Sequence, residues 1–397
     1  LEEEMKRYDY IIVGAGMTGD AAVRGIRELD PNGSILLVGG ETDPPYARPP
    51  LSKKLWQGKP LESVWRGTEA FGVELILGRR VVGLDCTGQS VRDDRGEEYG
   101  YGRLLLATGG VPRRLPFGGE EIIYFRTLDD YRRLRALADA GGRFAIIGGG
   151  FIGSEVAAAL AMNGCGVTML FPEATIGRRV FPVDLAAFVT DYYRQKGVEV
   201  MAGESVAGVE RTAEEMAVTT ESGQRTRASA VVAGIGIEPE LELPRQAGLP
   251  TDGGVEVDEF LRAGDPHIFA AGDLASFFSP QLGRRMRVEH EDNAVTMGRQ
   301  AGRNMAGAGE PYSHLPYFYS DLFDLGYEAV GELDSRLETV ADWKEPYREG
   351  VVYYLREGRV RGVLLWNVWD QVEAARSLIA AGEKVTPEAL HGRLPVK

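Results

Sequence analysis

Sulfur is scarce. The 397 residues hold two cysteines, Cys86 and Cys165, far apart and in no C-x-x-C pair. That excludes a disulfide framework and argues against a cysteine metal site. Two buried, reduced thiols of a reducing compartment are expected instead. Positive charge is short as well: 45 Lys and Arg stand against 59 Asp and Glu, a net −14. A face for nucleic acid or anionic membrane needs a basic surface, so neither is expected as a general partner. Two basic clusters do occur, at Arg132, Arg133 and Arg135 and at Arg284, Arg285 and Arg287. They read first as solvated surface and second as docking patches. His290 lies among Glu289, Glu291 and Asp292, but sequential neighbours rarely converge on one ion, so no metal is expected. No unbroken apolar run can cross a bilayer. Residues 144–171 come nearest, but Gly148, Gly149, Gly150, Gly153, Glu155, Asn163, Gly164 and Gly166 divide them into strand, turn, helix, turn and strand. The opening LEEEMKRYDY is acidic, then strand-like, with no signal-peptide pattern. Residues 1–4 read either as an added remnant or as the end of a trimmed segment. A cytoplasmic location is expected, mitochondrial only if a targeting segment has been removed.

What is present is ordinary globular material, 44% hydrophobic and 26% charged, at a length that implies two or three domains. DYIIV runs into GAGMTG, then a helical pattern, then SILLV, with Glu41 just beyond. The unit recurs: RFAII, GGGFIG, a helical pattern, VTMLF, and Glu173 just beyond. Each is a strand, a glycine turn, a helix and a strand, closed by an acid about 20 residues on. The glycines make the tight turn, admit a pyrophosphate and let helix and strand pack closely. The helix N-terminus offers free N–H groups and positive dipole to the phosphates. The acid can accept from ribose hydroxyls. Two such units imply two dinucleotides, one resident and one exchanging, as in a flavoprotein reduced by a nicotinamide. Glu173 favours NADH, because a carboxylate repels a 2′-phosphate. Arg178 and Arg179, close behind, can approach the pyrophosphate, a 2′-phosphate or neither. Further on, LLLATGG, VVAGIGIEP and HIFAAGD are strands ending in glycine. From about residue 312 the chain turns aromatic. A hairpin is expected with Glu357 and Gly358 at its turn, then a helix capped by Asp370 and Glu373 and stopped at Gly382.

GAGMTG, ETDPPYARPPLSKKLW, LLLATGG, GGGFIGSE, LFPE, GIGIEP, AAGD and RVEHEDNAV occur in the order found in two-dinucleotide flavoprotein reductases. The chain resembles that group over nearly its whole length. LFPE, LGRRMRVEH, GYEAVG and VLLWN resemble apoptosis-inducing factor and its bacterial relatives more than ferredoxin reductases. The resemblance implies an α/β protein with two Rossmann-like dinucleotide-binding domains and a small α/β C-terminal domain. It implies a split FAD-binding domain, 5–125 and 246–311, an NADH-binding domain, 126–245, and a C-terminal domain, 312–397. It assigns Gly14, Ala15, Gly16, Gly19, Glu41, Arg48, Lys53, Val82, Thr108, Gly109, Arg126, Asp273, Glu289 and His290 to FAD. It assigns Gly149, Gly150, Phe151, Ile152, Gly153, Glu173, Arg178 and Gly236 to NADH, with Glu289 and His290 shared. Tyr319 matches a Trp of the animal proteins beside the nicotinamide. The long loop those proteins carry before the final hairpin is short here, at residues 338–347. No function tied to it transfers, nor does DNA binding at a charge of −14.

The implied activity is hydride transfer from NADH to FAD N5, then electron transfer to an unidentified acceptor. Lys53 stands where disulfide reductases keep a dithiol. A cation there can stabilise charge arriving on the flavin, and a buried ammonium wants a carboxylate, for which Glu155 is the candidate. The helix expected from about Asp292 would add its dipole. With no dithiol, electrons leave from the flavin itself, to a quinone, a small molecule, oxygen or a one-electron carrier. A ferredoxin or rubredoxin reductase is one alternative. A redox-gated binding module, whose assembly changes when NADH and FAD form a long-lived complex, is another.

Overall fold

The computed structural model describes residues 5–213 and 215–394, so the reading of residues 1–4 lies outside the described residues. The chain divides into two compact units.

The first unit comprises residues 1–48, 62–111 and 238–316. Its sheet runs in the order Glu74–Leu77, Ile35–Gly39, Lys6–Val13, Glu98–Leu106, Ser90–Asp93, Val81–Asp85, with Ile268–Ala270 also beside Glu98–Leu106. The glycine-turn half is parallel, and residues 81–106 form an antiparallel meander. Ile35–Gly39 and the ends of Lys6–Val13 and Glu98–Leu106 are nearly continuous apolar runs because the parallel region is covered on both faces. The helices Met17–Arg27 and Glu291–Met305 meet almost backbone to backbone. A Cβ at Gly25, Gly298 or Gly302 would run into a carbonyl of the facing helix, at Arg299, Thr18 or Ala22 respectively.

The second unit comprises residues 49–61, 112–237 and 317–397. It holds a parallel sheet, Glu199–Ala202, Gly166–Phe171, Arg143–Ile147, Ala230–Ala233, Ile122–Tyr124, and an antiparallel meander over residues 206–228. A five-stranded antiparallel sheet follows in the order Tyr317–Leu322, Leu325–Gly331, Arg359–Trp366, Glu349–Arg356, Glu338–Glu345. Its hairpin turns at Glu357 and Gly358, both in the left-handed region with φ 55° and 73°, as the twist of a two-residue turn requires. The helix that follows, Val372–Ala381, does stop at Gly382 with φ 59°, but its start differs from expectation. Gln371 is the N-cap, Asp370 lies outside the helix at φ 62°, and Glu373 pairs with Arg376 instead. Asp370 thus makes the turn into the helix rather than capping it. Among the described residues no helix is long and apolar enough to cross a membrane.

Candidate functional site

The two glycine turns are built alike, each within its own unit. In the first, Gly14 stands at φ 120°, and a side chain there would strike the Ala107 carbonyl. Its N–H donates to the Val38 carbonyl at 2.8 Å. A Cβ at Gly19 would strike the Gly14 carbonyl. In the second, Gly148 has φ 115° and would strike the Gly234 carbonyl, and Gly153 would strike that of Gly148. The middle residues differ in kind. Gly16 and Gly150 are uncapped helix starts, and a Cβ on either would meet nothing within 4 Å. The buried hydroxyls of Thr108 and Ser154 find no protein partner. Open backbone, free helix N–H groups and unused hydroxyls fit a dinucleotide at each turn.

The acids at the ends of the second strands are partnered. Glu41 accepts from the Tyr46 hydroxyl at 2.6 Å and pairs with Arg48. Glu173 meets Arg179 at 3.3 Å, with the arginine 87% exposed, a weak surface pair.

Lys53 lies in the second unit, between the short helical turns Pro49–Ser52 and Lys54–Gln57. Trp56 anchors that stretch. Its Nε1 donates to the Leu51 carbonyl at 2.7 Å, and Tyr131 meets its ring edge-on at 5.6 Å. Lys53 is therefore held inward, 8% exposed, with Nζ 2.5 Å from Oε1 of Glu155, itself 4% exposed. Glu155 is on the first turns of the helix Phe151–Met162. It also accepts from the Ser52 hydroxyl at 2.6 Å and the Ser320 hydroxyl at 2.5 Å. A buried ion pair is stable only when its remaining hydrogen-bonding capacity is met. Here two serines from distant parts of the chain meet it. Tyr319 lies beside them, its ring centroid 5.2 Å from Lys53 Nζ, and Phe151 packs edge-on against Phe318 at 5.2 Å. Burial raises the Asp321 carboxyl above its ordinary range, against the pull of Lys53.

The other expected residues fall as follows. Ala15, Val82, Gly109, Asp273, Glu289 and His290 belong to the first unit, and Arg126, Ile152, Arg178 and Gly236 to the second. His290 is the N-cap residue of Glu291–Met305, and Glu289 pairs with Arg287 at 2.7 Å. Val82 is a half-exposed strand residue, and Gly109 and Gly236 take φ 69° and 95°. The Arg126 N–H donates to Asp130. Two arms of the second basic cluster are used internally. Arg285 donates to the Val257 and Ser276 carbonyls, and Arg287 to that of Asp273. The cysteines are free but half-buried, not buried as expected, because Cys86 lies just past the strand Val81–Asp85 and Cys165 just before Gly166–Phe171, each Sγ 3.8 Å from one backbone carbonyl. Among the described residues no group of three His, Cys, Asp or Glu could hold a metal. Ser52, Ser320 and Tyr46 were not expected in the site. Only the adjacency of the two serines to Lys53 and Tyr319 hinted at them.

One carboxyl beside this site is unusual. Glu328 is the cross-strand neighbour of Tyr319, and its Oε2 is buried without a hydrogen-bond partner. Burial, then the nearby Asp370, raises its pKa from 4.5. Between the unfolded and folded values the native state holds more proton, so stability is lost as pH rises through that window. Glu328→Gln is expected to unfold at a higher temperature than the parent at about pH 7, with the advantage gone near about pH 4. An offset identical at both pH values would show that the carboxyl carries no such strain.

The sequence pattern of the pyridine nucleotide-disulphide oxidoreductase family matches residues 8–298. That of the mitochondrion-associated C-terminal region of apoptosis-inducing factor matches residues 301–346 and 341–381. The chain is 32% identical to apoptosis-inducing factor 1, mitochondrial, of Dictyostelium discoideum, over 95% of this chain and 79% of that protein. It is 34% identical to the ferredoxin–NAD(+) reductase component of the anthranilate 1,2-dioxygenase system of Burkholderia cepacia, over 96% of each. Among solved structures, the covalent putidaredoxin reductase–putidaredoxin complex superposes with a TM-score of 0.90 at 32% identity, covering 96% of this chain and 95% of that one. Two glycine turns of dinucleotide-binding form accord with these matches, and the chain belongs to the pyridine nucleotide-disulphide oxidoreductase family as an FAD-dependent NAD(P)H oxidoreductase, with both its cysteines free and no disulfide among its described residues.

Proposed function

We propose that FAD is held by the first glycine turn with Glu41, that NADH is held by the second with Glu173, and that electrons leave directly from the flavin. The single observation that carries this reading is the buried Lys53–Glu155 pair, 2.5 Å apart. It stands at the place in the sequence where a disulfide reductase would need its dithiol. FAD, when bound, would supply the acceptor for the hydride of NADH. The chain's own residues prepare that event. Lys53 would supply a cation to stabilise charge on the reduced cofactor, and Glu155, locked by Ser52 and Ser320, holds that cation still. Phe151 and Tyr319 offer ring faces to the nicotinamide. The helix Glu291–Met305 would lend the positive end of its dipole to a bound flavin. On this reading residues 5–125 and 246–311 serve FAD, 126–245 serve NADH, and 312–397 complete the nicotinamide side.

The acceptor is a non-disulfide one. A small one-electron carrier of the ferredoxin kind is the favoured choice, supported by the 34% identity over 96% of each chain to a ferredoxin–NAD(+) reductase component. The test begins with an anaerobic titration by NADH, then by NADPH, followed by flavin absorbance. One equivalent of NADH should bleach the flavin. Absence of flavin, or no bleaching, would defeat the assignment. Turnover with a plant-type or bacterial ferredoxin is then measured against salt. A rate that falls as salt rises supports a docked carrier. A rate indifferent to salt and exceeded by a benzoquinone would point to a small-molecule acceptor.

A further inference from the structure

The segment that carries Glu173, Arg178 and Arg179 is held from the side of the antiparallel sheet, within the same compact unit. Gly177 N–H donates to the Gly149 carbonyl at 2.9 Å, tying the segment to the second glycine turn. The Tyr354 hydroxyl donates to the Val180 carbonyl at 2.8 Å, and Phe181 packs edge-on against Tyr327 and Trp366 at 5.4 and 5.5 Å. The tightest hold is one serine. Ser335 N–H donates to the Arg179 carbonyl at 3.0 Å, and its hydroxyl donates to the Arg178 carbonyl at 2.7 Å. The same hydroxyl accepts from Arg178 Nη1 at 3.2 Å. Ser335 lies in the connection between Leu325–Gly331 and Glu338–Glu345. That connection is itself stiffened by Asp334, which accepts from the Arg336 guanidinium at 2.6 Å.

We infer that Ser335 is a positioning residue for coenzyme choice: it occupies Arg178 and fixes its backbone, so that Glu173 meets the ribose and Arg178 cannot turn to a 2′-phosphate. The inference rests on the reading that the second glycine turn takes NADH. An exposed arginine is long and mobile, and only a specific tether keeps it from an anion within reach. The serine hydroxyl gives its one proton to the Arg178 carbonyl and accepts from the Arg178 guanidinium on a lone pair.

The experiment is equilibrium binding of NAD+ and NADP+ to the FAD-loaded protein by calorimetry. Four proteins are compared: the parent, Ser335→Ala, Ser335→Thr, and Ser335→Ala combined with Arg178→Ala. In Ser335→Ala the ratio Kd(NADP+)/Kd(NAD+) is expected to fall about tenfold, roughly the worth of one hydrogen bond to a charged group. Ser335→Thr should restore the parent ratio, and the added Arg178→Ala should cancel the gain for NADP+. An unchanged ratio, equal weakening of both coenzymes, or a gain that survives loss of Arg178 would each overturn the role of Ser335. If the parent binds neither coenzyme, the reading of the second glycine turn fails as well, and that result is separable from the others because it appears before any substitution.

Discussion

Lys53→Ala is expected to keep its FAD and to be reduced by NADH on the order of a hundredfold more slowly, the usual effect of removing one pre-positioned group aimed at developing charge. The flavin midpoint potential should fall with it. The substitution has a second consequence. It leaves Glu155, 4% exposed, with two serine donors and no cation. Breaking a buried pair on one side destabilises by about 3–5 kcal/mol. Adding Glu155→Gln to Lys53→Ala removes the stranded charge, so the double variant should regain most of the lost stability and none of the lost rate. Anaerobic stopped-flow reduction, redox titration and thermal unfolding read these quantities separately. A single variant with the parent rate and potential would make the lysine purely structural.

The second large effect separates the two nucleotides. Gly153→Ala is expected to retain FAD and weaken NAD+ binding by about tenfold or more, the scale of overpacking against rigid groups. Its new Cβ meets the backbone carbonyl of Gly148, which cannot move aside as a side-chain tip could. Gly19→Ala meets the Gly14 carbonyl in the same way and should lose FAD during purification while its second turn stays intact. Flavin content by absorbance and NAD+ binding by calorimetry score both variants. Reversal, with Gly153→Ala losing flavin and Gly19→Ala losing NAD+ alone, would exchange the two assignments.

The turns were legible because their causes are local. A left-handed φ at Gly14 and Gly148, or at Glu357 and Gly358, is a property of a few neighbouring residues. The start of the helix Phe151–Met162 is of the same kind. The Lys53–Glu155 pairing was reached through resemblance and the demand of a buried ammonium for a carboxylate. Its surroundings were not legible. Ser320 meets Glu155 only because a strand of the last sheet passes that point, and no short-range pattern encodes such an encounter. Asp370 failed as a cap for a related reason. Its left-handed conformation is imposed by the turn that delivers the helix onto the sheet, and this overrides its preference for the cap position. The hold of Ser335 on residues 178 and 179 is equally non-local.

The strand Ile268–Ala270 carries a consequence for synthesis. It pairs with residues 104–106 in the first unit's sheet. On the ribosome, residue 104 must wait for residue 268 to emerge. Meanwhile the Leu104, Leu105 and Leu106 ladder presents an unpaired apolar edge, the kind of template on which nascent chains join one another. A cell making this protein is thus expected to depend on holdase chaperones during elongation, and a fragment ending before residue 268 should aggregate rather than fold.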